Sequence, residues 1–329
     1  MRNLLEGYKI FNIDPKQSRS KNFYKNVLEY RAHMMKKFRR DIKTLDKFIC
    51  PLCGSKKGND FLAYKNYQLI DCLKCGLVSP NVDFAKLGNH DVYDDEAYIK
   101  ATYIEIMNTY NYRKKTLAPE RFNYILEKTK IAKNKIKLLD VGCGPGYLLS
   151  YLKDNGIKYK GLELADFLVK ICKQKKLNVE KADLNNELDS SYNVITLFDV
   201  LEHLSDPVSL FKVLNKKLTK NGFILAYTPN IHSLSFLLMK EKQNNLYPFQ
   251  HICFFDKQSL DYLAKKNGFK IYSIDYFGLD MMDYFCLKSY EDKFDYLAKL
   301  KEFIPLTQAV IDKQNISNHI RVIFQKLHD

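Results

Sequence analysis

With 329 residues, 46% hydrophobic and 28% charged side chains, the chain is long enough to bury a sizeable core and too apolar to be disordered. Lys+Arg 53 against Asp+Glu 38 leave a formal net charge of +15. Lysine is scattered through every segment, so the surplus reads as solvated basic faces, with nucleic acid or an anionic membrane surface as the other reading. No apolar run approaches the roughly 20 residues of a membrane span.

The first residues, MRNLLEGYKIFNIDP, hold no apolar core long enough for a signal peptide, and a cytoplasmic location is expected. Of eight cysteines, four form two Cys-x-x-Cys pairs, while Cys143, Cys172, Cys253 and Cys286 stand alone. That is a reducing-compartment pattern.

Within a basic segment over 1–48, residues 20–48 lack Gly and Pro. Phe23, Val27, Tyr30, Met34, Phe38, Ile42 and Leu45 recur at helical spacing. The stripe predicts a helix packed on its own chain or on a second subunit, which would make a homodimer. A basic helix for RNA, a membrane or an acidic partner is the alternative. Residues 49–80 then carry Cys50-x-x-Cys53 and Cys72-x-x-Cys75 in the contexts CPLCG and CLKCG. Four thiolates so spaced predict a tetrahedral zinc site with no open position, hence structural zinc. Iron in the same ligand set is the alternative.

A tyrosine-rich bridge spans 81–134, helical from about Asp95, with Pro119 opening a further helix in PERFNYILEKTK. The segment IKLLDVGCGPGY, Ile136 to Tyr147, follows: a buried strand, a turn with Gly142, Gly144 and Gly146, and a helix start. Such a turn admits a ligand close to its backbone, and the free amides favour a polar or anionic group. Further strands are predicted in YKGLEL, ending at Glu163, in NVEKAD, ending at Asp183, and in YNVITLF, ending at Phe198 and Asp199. FILAYT, FKIYSIDYF and NHIRVIFQK complete the set. Helices are expected at about 165–176, from Ser205-Asp206-Pro207 to about Leu218, and in an insertion at about 280–313. Asn221-Gly222 and Asn267-Gly268 are expected as turns. The fold class is α/β, a seven-stranded sheet with helices on both faces over 135–329.

The glycine turn, Glu163, Asp183 and LFDVLEHL stand in an order that resembles the class I S-adenosylmethionine-dependent methyltransferases, in the branch with an EH(L/V) motif after the fourth strand. The resemblance covers roughly 135–277. It implies S-adenosylmethionine as cofactor, with Asp140 and Gly142 to Gly146 lining the methionine end and Asp183 with Leu184 at the adenine. Phe198 and Asp199 would edge the cleft. Glu163, about twenty residues after the turn, suits the ribose hydroxyls, because one carboxylate can accept from both. The bridge would close the cleft, with Tyr98, Tyr103 and Arg113 as lid contacts or as plain packing and surface residues.

Methyl transfer to a hydroxyl needs alignment and a base. His203, in the motif, and His251, in YPFQHICFF after a loop at about 230–256, are the candidates; a structural hydrogen bond is the other reading of His203. The pattern TPN, HxxFF, SL, GF resembles a subgroup acting on sugars and small metabolites, including zinc-bearing sugar methyltransferases. Sugar C-methyltransferases carry a larger C-terminal part, so O- or N-methylation is expected. The expected acceptor is a small molecule: a sugar or sugar nucleotide of surface glycan biosynthesis, possibly phosphorylated. The alternatives are an RNA methyltransferase with a zinc module, a quinone-precursor-type O-methyltransferase, and a non-catalytic relic. Against RNA stands the lack of a stacking platform beyond Tyr64 and Tyr67.

Overall fold

A computed structural model describes residues 7–20, 22–38, 47–83, 93, 95–181 and 184–327. Two sheets organise it. Gly58–Tyr64 (β1), Tyr67–Cys72 (β2) and Val78–Pro80 (β3) form a small antiparallel sheet in the order β1-β2-β3. The large sheet contains Lys137–Val141 (β4), Lys158–Leu162 (β5), Val179–Glu180 (β6), Tyr192–Phe198 (β7), Leu218–Pro229 (β8), Phe269–Tyr276 (β9) and His319–Lys326 (β10). Its order is β6-β5-β4-β7-β8-β10-β9.

The strands from β6 to β8 run parallel, and β10 is antiparallel to both β8 and β9. The order reverses between β4 and β7, and a crevice opens beyond the carboxyl ends of strands at such a switch point. All seven predicted strands are present. The Asn221-Gly222 turn is absorbed into β8. Asn221 adopts φ +58° where the β7–β8 register slips, so the turn residue makes a bulge instead of ending the strand.

Helix Phe23–Lys37 buries Val27 and packs Tyr30 and Met34, with Phe38 beyond its end, against Leu69 and Val78 of the small sheet and Phe236, Leu246 and Phe249. Ile42 and Leu45 of the expected stripe lie outside the described residues. The helix is packed on its own chain, which covers the face from which a homodimer was expected. Arg31, fully buried, donates to the carbonyls of Glu241 and Gln243 and ties the helix to the loop before His251.

The bridge is helical from Glu96, as expected. Helices Glu96–Tyr112 and Ala118–Thr129 are joined through a wide π turn, Arg113–Leu117. Pro119 has no N–H to give to the preceding turn, and its ring crowds a carbonyl there; the wider turn relieves both. Arg321, on β10, forms a two-pronged pair with Glu120 at 2.6 and 2.9 Å, which fixes the second helix on the sheet.

The cysteine module is not a separate body. Cys50, Leu52, Cys72, Cys75 and Leu77 share one apolar core with Leu201, Cys253, Phe255 and Phe269. Val78 and Phe254 exchange both backbone hydrogen bonds, at 3.1 and 2.8 Å. The expected insertion at 280–313 folds as helices Asp280–Asp292, Tyr296–Lys299 and Phe303–Lys313. Asp206 caps helix Pro207–Lys217 by accepting from the Ser209 amide, as predicted.

Candidate active site

A cavity of about 940 Å³ lies over the carboxyl ends of β4, β5 and β7. Gly142, Gly144, Glu163, Leu184, Phe198, Asp199, His203 and His251 all line it, so the fold gathers most of the sequence-predicted residues in one place. Asp183 lies outside the described residues.

The three glycines of the turn all have positive φ, at +68°, +56° and +78°, but for different surroundings. A Cβ on Gly142 would come 2.7 Å from a Val200 methyl, and one on Gly146 would come 2.5 Å from Leu177. Around Gly144 there is open space. Gly144 is therefore the glycine beside which a ligand has room. Gly146 does not line the cavity and serves the seat of helix Tyr147–Asp154 against Leu177 and Cys172.

Glu163 accepts from the amides of Gly144 at 2.8 Å, Leu164 at 2.8 Å and Ala165 at 2.9 Å. Burial pushes its carboxyl up, against the pull of those amides. Asp140 sits behind the turn. It is buried, accepts from Thr196 at 2.6 Å, and burial raises its carboxyl to about 7. It lines a smaller adjoining cavity of about 150 Å³, together with Arg121, Gly142, Gly144 and Asp199.

Arg121 is the residue that sequence reasoning missed. Its guanidinium lies 4.4 Å over the Phe198 ring and 3.8 Å from Asp199, beside the glycine turn. Nothing local marks it, because it reaches the turn from a helix about twenty residues earlier. Of the expected lid contacts, Tyr98 and Arg113 line the main cavity. Tyr103 does not: it is 48% exposed, on the outer face of its helix.

At the far end six rings close on one another: Tyr93–Tyr98 5.6 Å, Tyr98–Tyr30 6.0 Å, Tyr30–Tyr247 6.0 Å, Tyr247–His251 5.2 Å, His251–His203 4.7 Å and His203–Tyr93 5.9 Å. All six line the cavity. His251 Nδ1 lies 2.7 Å from the Asn245 carbonyl, and His203 Nδ1 lies 2.9 Å from the Gln250 carbonyl. A carbonyl only accepts, so each imidazole donates from Nδ1; His251 keeps Nε2 as an acceptor, while His203 makes a further hydrogen bond to the Asp199 backbone. Burial, then the neighbouring His203, holds His251 well below the usual histidine range; burial lowers His203 as well. Both are neutral at physiological pH.

Asp199 has φ +57°, and its carboxylate opens into the cavity. Although burial pushes it up, His319 at 3.5 Å and Arg121 hold it well below the usual range. Glu202 is fully buried, accepts from Thr228 at 3.1 Å, and its backbone carbonyl receives the amides of Ile252 and Cys253. That carbonyl clamps the His251 loop onto the end of β7.

In the cysteine module Cys50–Cys75 and Cys53–Cys72 sulfurs lie 3.5 Å apart, and all four fall within 4.8 Å of one another. Ligands about 2.3 Å from a shared tetrahedral zinc stand about 3.8 Å apart, so the donor set fits. Gly54 and Gly76 close the two knuckles, each donating to the carbonyl of the first cysteine of its pair at 2.9 Å.

The fold is that of a class I S-adenosylmethionine-dependent methyltransferase. The chain matches the family described as "Methyltransferase domain" over residues 110–274, half of its length, and belongs to that family. It is 29% identical over 130 residues to the ubiquinone biosynthesis O-methyltransferase of Leptothrix cholodnii, covering 36% of this chain and 55% of that one. With the enzyme of the same name from Hydrogenovibrio crunogenus it shares 30% over 166 residues, covering 46% and 68%. The chain spans about half the length of the first of these relatives. Similar solved structures include a SAM-dependent methyltransferase from Archaeoglobus fulgidus (TM-score 0.46, 23% identity, 65% of this chain and 94% of that one). Another is a putative sarcosine dimethylglycine methyltransferase from Galdieria sulphuraria (TM-score 0.46, 18% identity, 65% and 88%).

Proposed function

We propose that this enzyme methylates a hydroxyl group on a flat, largely apolar acceptor of the phenol or catechol type, with His251 as the base. The observation that carries the reading is the closed ring of six aromatic side chains, two of them neutral imidazoles, with Nε2 of His251 left to accept a proton. Stacking and edge contacts of such rings favour a planar acceptor. The O-methyltransferase names of the curated relatives support the same reaction type. The expected sugar nucleotide has less support. Apart from the histidines, Arg113 and Lys181 are the cations among the described lining residues, and Arg113 lies over Tyr147 beside Glu105.

The cofactor, when bound, supplies a methyl group on a sulfonium, a good leaving group. Glu163 would hold the ribose hydroxyls, Leu184 and Phe198 the adenine, and Gly142 to Gly144, Asp140 and Arg121 the methionine end. Asp183, outside the described residues, keeps its proposed adenine role on the resemblance alone. The Asn245 carbonyl fixes the His251 tautomer, and Nε2 takes the proton from the acceptor oxygen. The four cysteines would hold a structural zinc, all four sulfurs being used as ligands.

The reading is tested by methyl transfer from S-adenosylmethionine to catechols and to sugar nucleotides, with wild type and Glu163→Gln. Catechols are expected to turn over, and the variant to bind cofactor about tenfold more weakly, as for one lost charge-assisted hydrogen bond. Turnover of sugar nucleotides alone, or salt-sensitive RNA binding without catechol turnover, contradicts it.

Two further outcomes follow from the same site. Gly144→Ala meets open space and is expected to cost about 1–2 kcal/mol of backbone strain, yet to lose much of its thermal shift with S-adenosylhomocysteine. Gly142→Ala adds a clash with Val200 and is expected to melt lower still. The pH dependence also has a definite sign. Unfolded histidine titrates near 6.5, whereas folded His251 takes a proton only well below that. The rate is therefore expected to stay level above pH 6.5 and to fall only in acid. Stability falls over the same interval, because unfolding takes up protons there. A pH–rate inflection at or above 6.5 that disappears in His251→Gln contradicts this.

A further inference from the structure

Helix Phe23–Lys37 lies outside the residues shared with the family, yet it forms a wall of the cavity through Phe23, Asn26, Val27 and Tyr30. These positions are three and four apart and share one face of the helix. Arg31 on the same helix anchors it to the carbonyls of Glu241 and Gln243, so the wall is held in place. Tyr30 is 7% exposed, and its ring stands between Tyr98 and Tyr247 in the aromatic ring. Its hydroxyl is buried and has no hydrogen-bond partner among the described residues. A buried phenol without a partner is unfavourable unless something else supplies one.

We propose that Tyr30 is a specificity-determining residue, its hydroxyl reserved for a polar substituent on the acceptor remote from the hydroxyl that His251 deprotonates. Tyr247 stands between Tyr30 and His251, so the two groups address different parts of one molecule. The apolar faces of Phe23 and Val27 continue the wall. The ligand class is a ring that carries both a methyl-accepting hydroxyl and a second hydrogen-bonding group. This rests on the cavity being the acceptor site, but not on the acceptor being a phenol.

The experiment compares wild type with Tyr30→Phe in steady-state transfer and in calorimetric binding with S-adenosylhomocysteine present. Two probe pairs are used: 4-hydroxymethylcatechol with 4-methylcatechol, and glucose with 6-deoxyglucose. The expected result is about a tenfold rise in KM and Kd for the member with the extra hydroxyl. The other member should change less than twofold in KM and Kd, because phenylalanine keeps the ring, and cofactor affinity should be unaltered. The melting temperature of the free variant is expected to be unchanged or higher, since the hydroxyl has no protein partner to lose. Equal weakening of both members of a pair, or a lower melting temperature, makes Tyr30 structural and overturns the proposal. Discrimination confined to the sugar pair overturns the phenol reading and leaves Tyr30 as assigned. Binding of none of the four overturns both.

Discussion

Replacing His251 with glutamine is expected to lower turnover by about 10²- to 10⁴-fold, the range for loss of a positioned general base, with cofactor affinity within twofold of wild type. Glutamine keeps most of the ring's volume between Tyr247, His203 and Phe254, so the loss reads out chemistry rather than a collapsed cavity. His251 is assigned no contact with the cofactor, which is why binding is expected to survive. His203→Gln is the control. Its Nδ1 donates to the Gln250 carbonyl next to the base, so a smaller loss is expected there, with the acid fall of the rate moved to higher pH because His203 no longer holds His251 down. If His203→Gln is the more damaging of the two, the assignment of the base is reversed.

Removing one cysteine ligand is the second large effect. Cys72→Ser, or chelation of the wild type, is expected to cost a large part of the order of 10 kcal/mol that small metal-stapled modules draw from zinc. The consequence is not confined to the module. Leu52, Leu77 and the cysteines share a core with Leu201 and Phe255, and Val78 pairs with Phe254 three residues after His251. The Phe249 amide donates to the Tyr67 hydroxyl at 3.2 Å, a second tie to the same loop. Chelation is therefore expected to reduce turnover more than cofactor affinity, alongside a fall of well over 10 °C in melting temperature and release of one zinc per chain. An unchanged melt after complete removal of the metal rules out the structural role.

The sheet was legible because each strand is bounded by its own chemistry. Five parallel strands need apolar runs, and the turn residues Gly142 and Gly268 each stand where positive φ is used. LFDVLEHL was legible for a different reason: an acid and two polar residues directly after a buried strand have little structural excuse.

What could not be read was what crosses between elements. The stripe from Phe23 to Phe38 announced that it is buried, but periodicity does not say against what, and its partners lie thirty to two hundred residues away. Arg121 escaped notice because it reaches the site from a helix whose own pattern is satisfied without it, and Tyr30 was read only as part of the stripe because periodicity does not show that a buried ring also meets a cavity. Tyr103 stood open between a lid contact and a surface residue because its helix is polar and tyrosine-rich on several faces, so composition does not fix which face turns inward; it is on the surface. Gly146 was assigned to the ligand on the resemblance, whereas its neighbours Leu177 and Cys172 explain it.

The most direct measurement is a crystal structure with S-adenosylhomocysteine and 4-methylcatechol bound. The account predicts ribose hydroxyls on the Glu163 carboxylate, the sulfur facing the aromatic ring, and the acceptor oxygen within hydrogen-bonding reach of His251 Nε2. A cofactor whose sulfur faces away from His203 and His251, or an acceptor held outside the six rings, contradicts it.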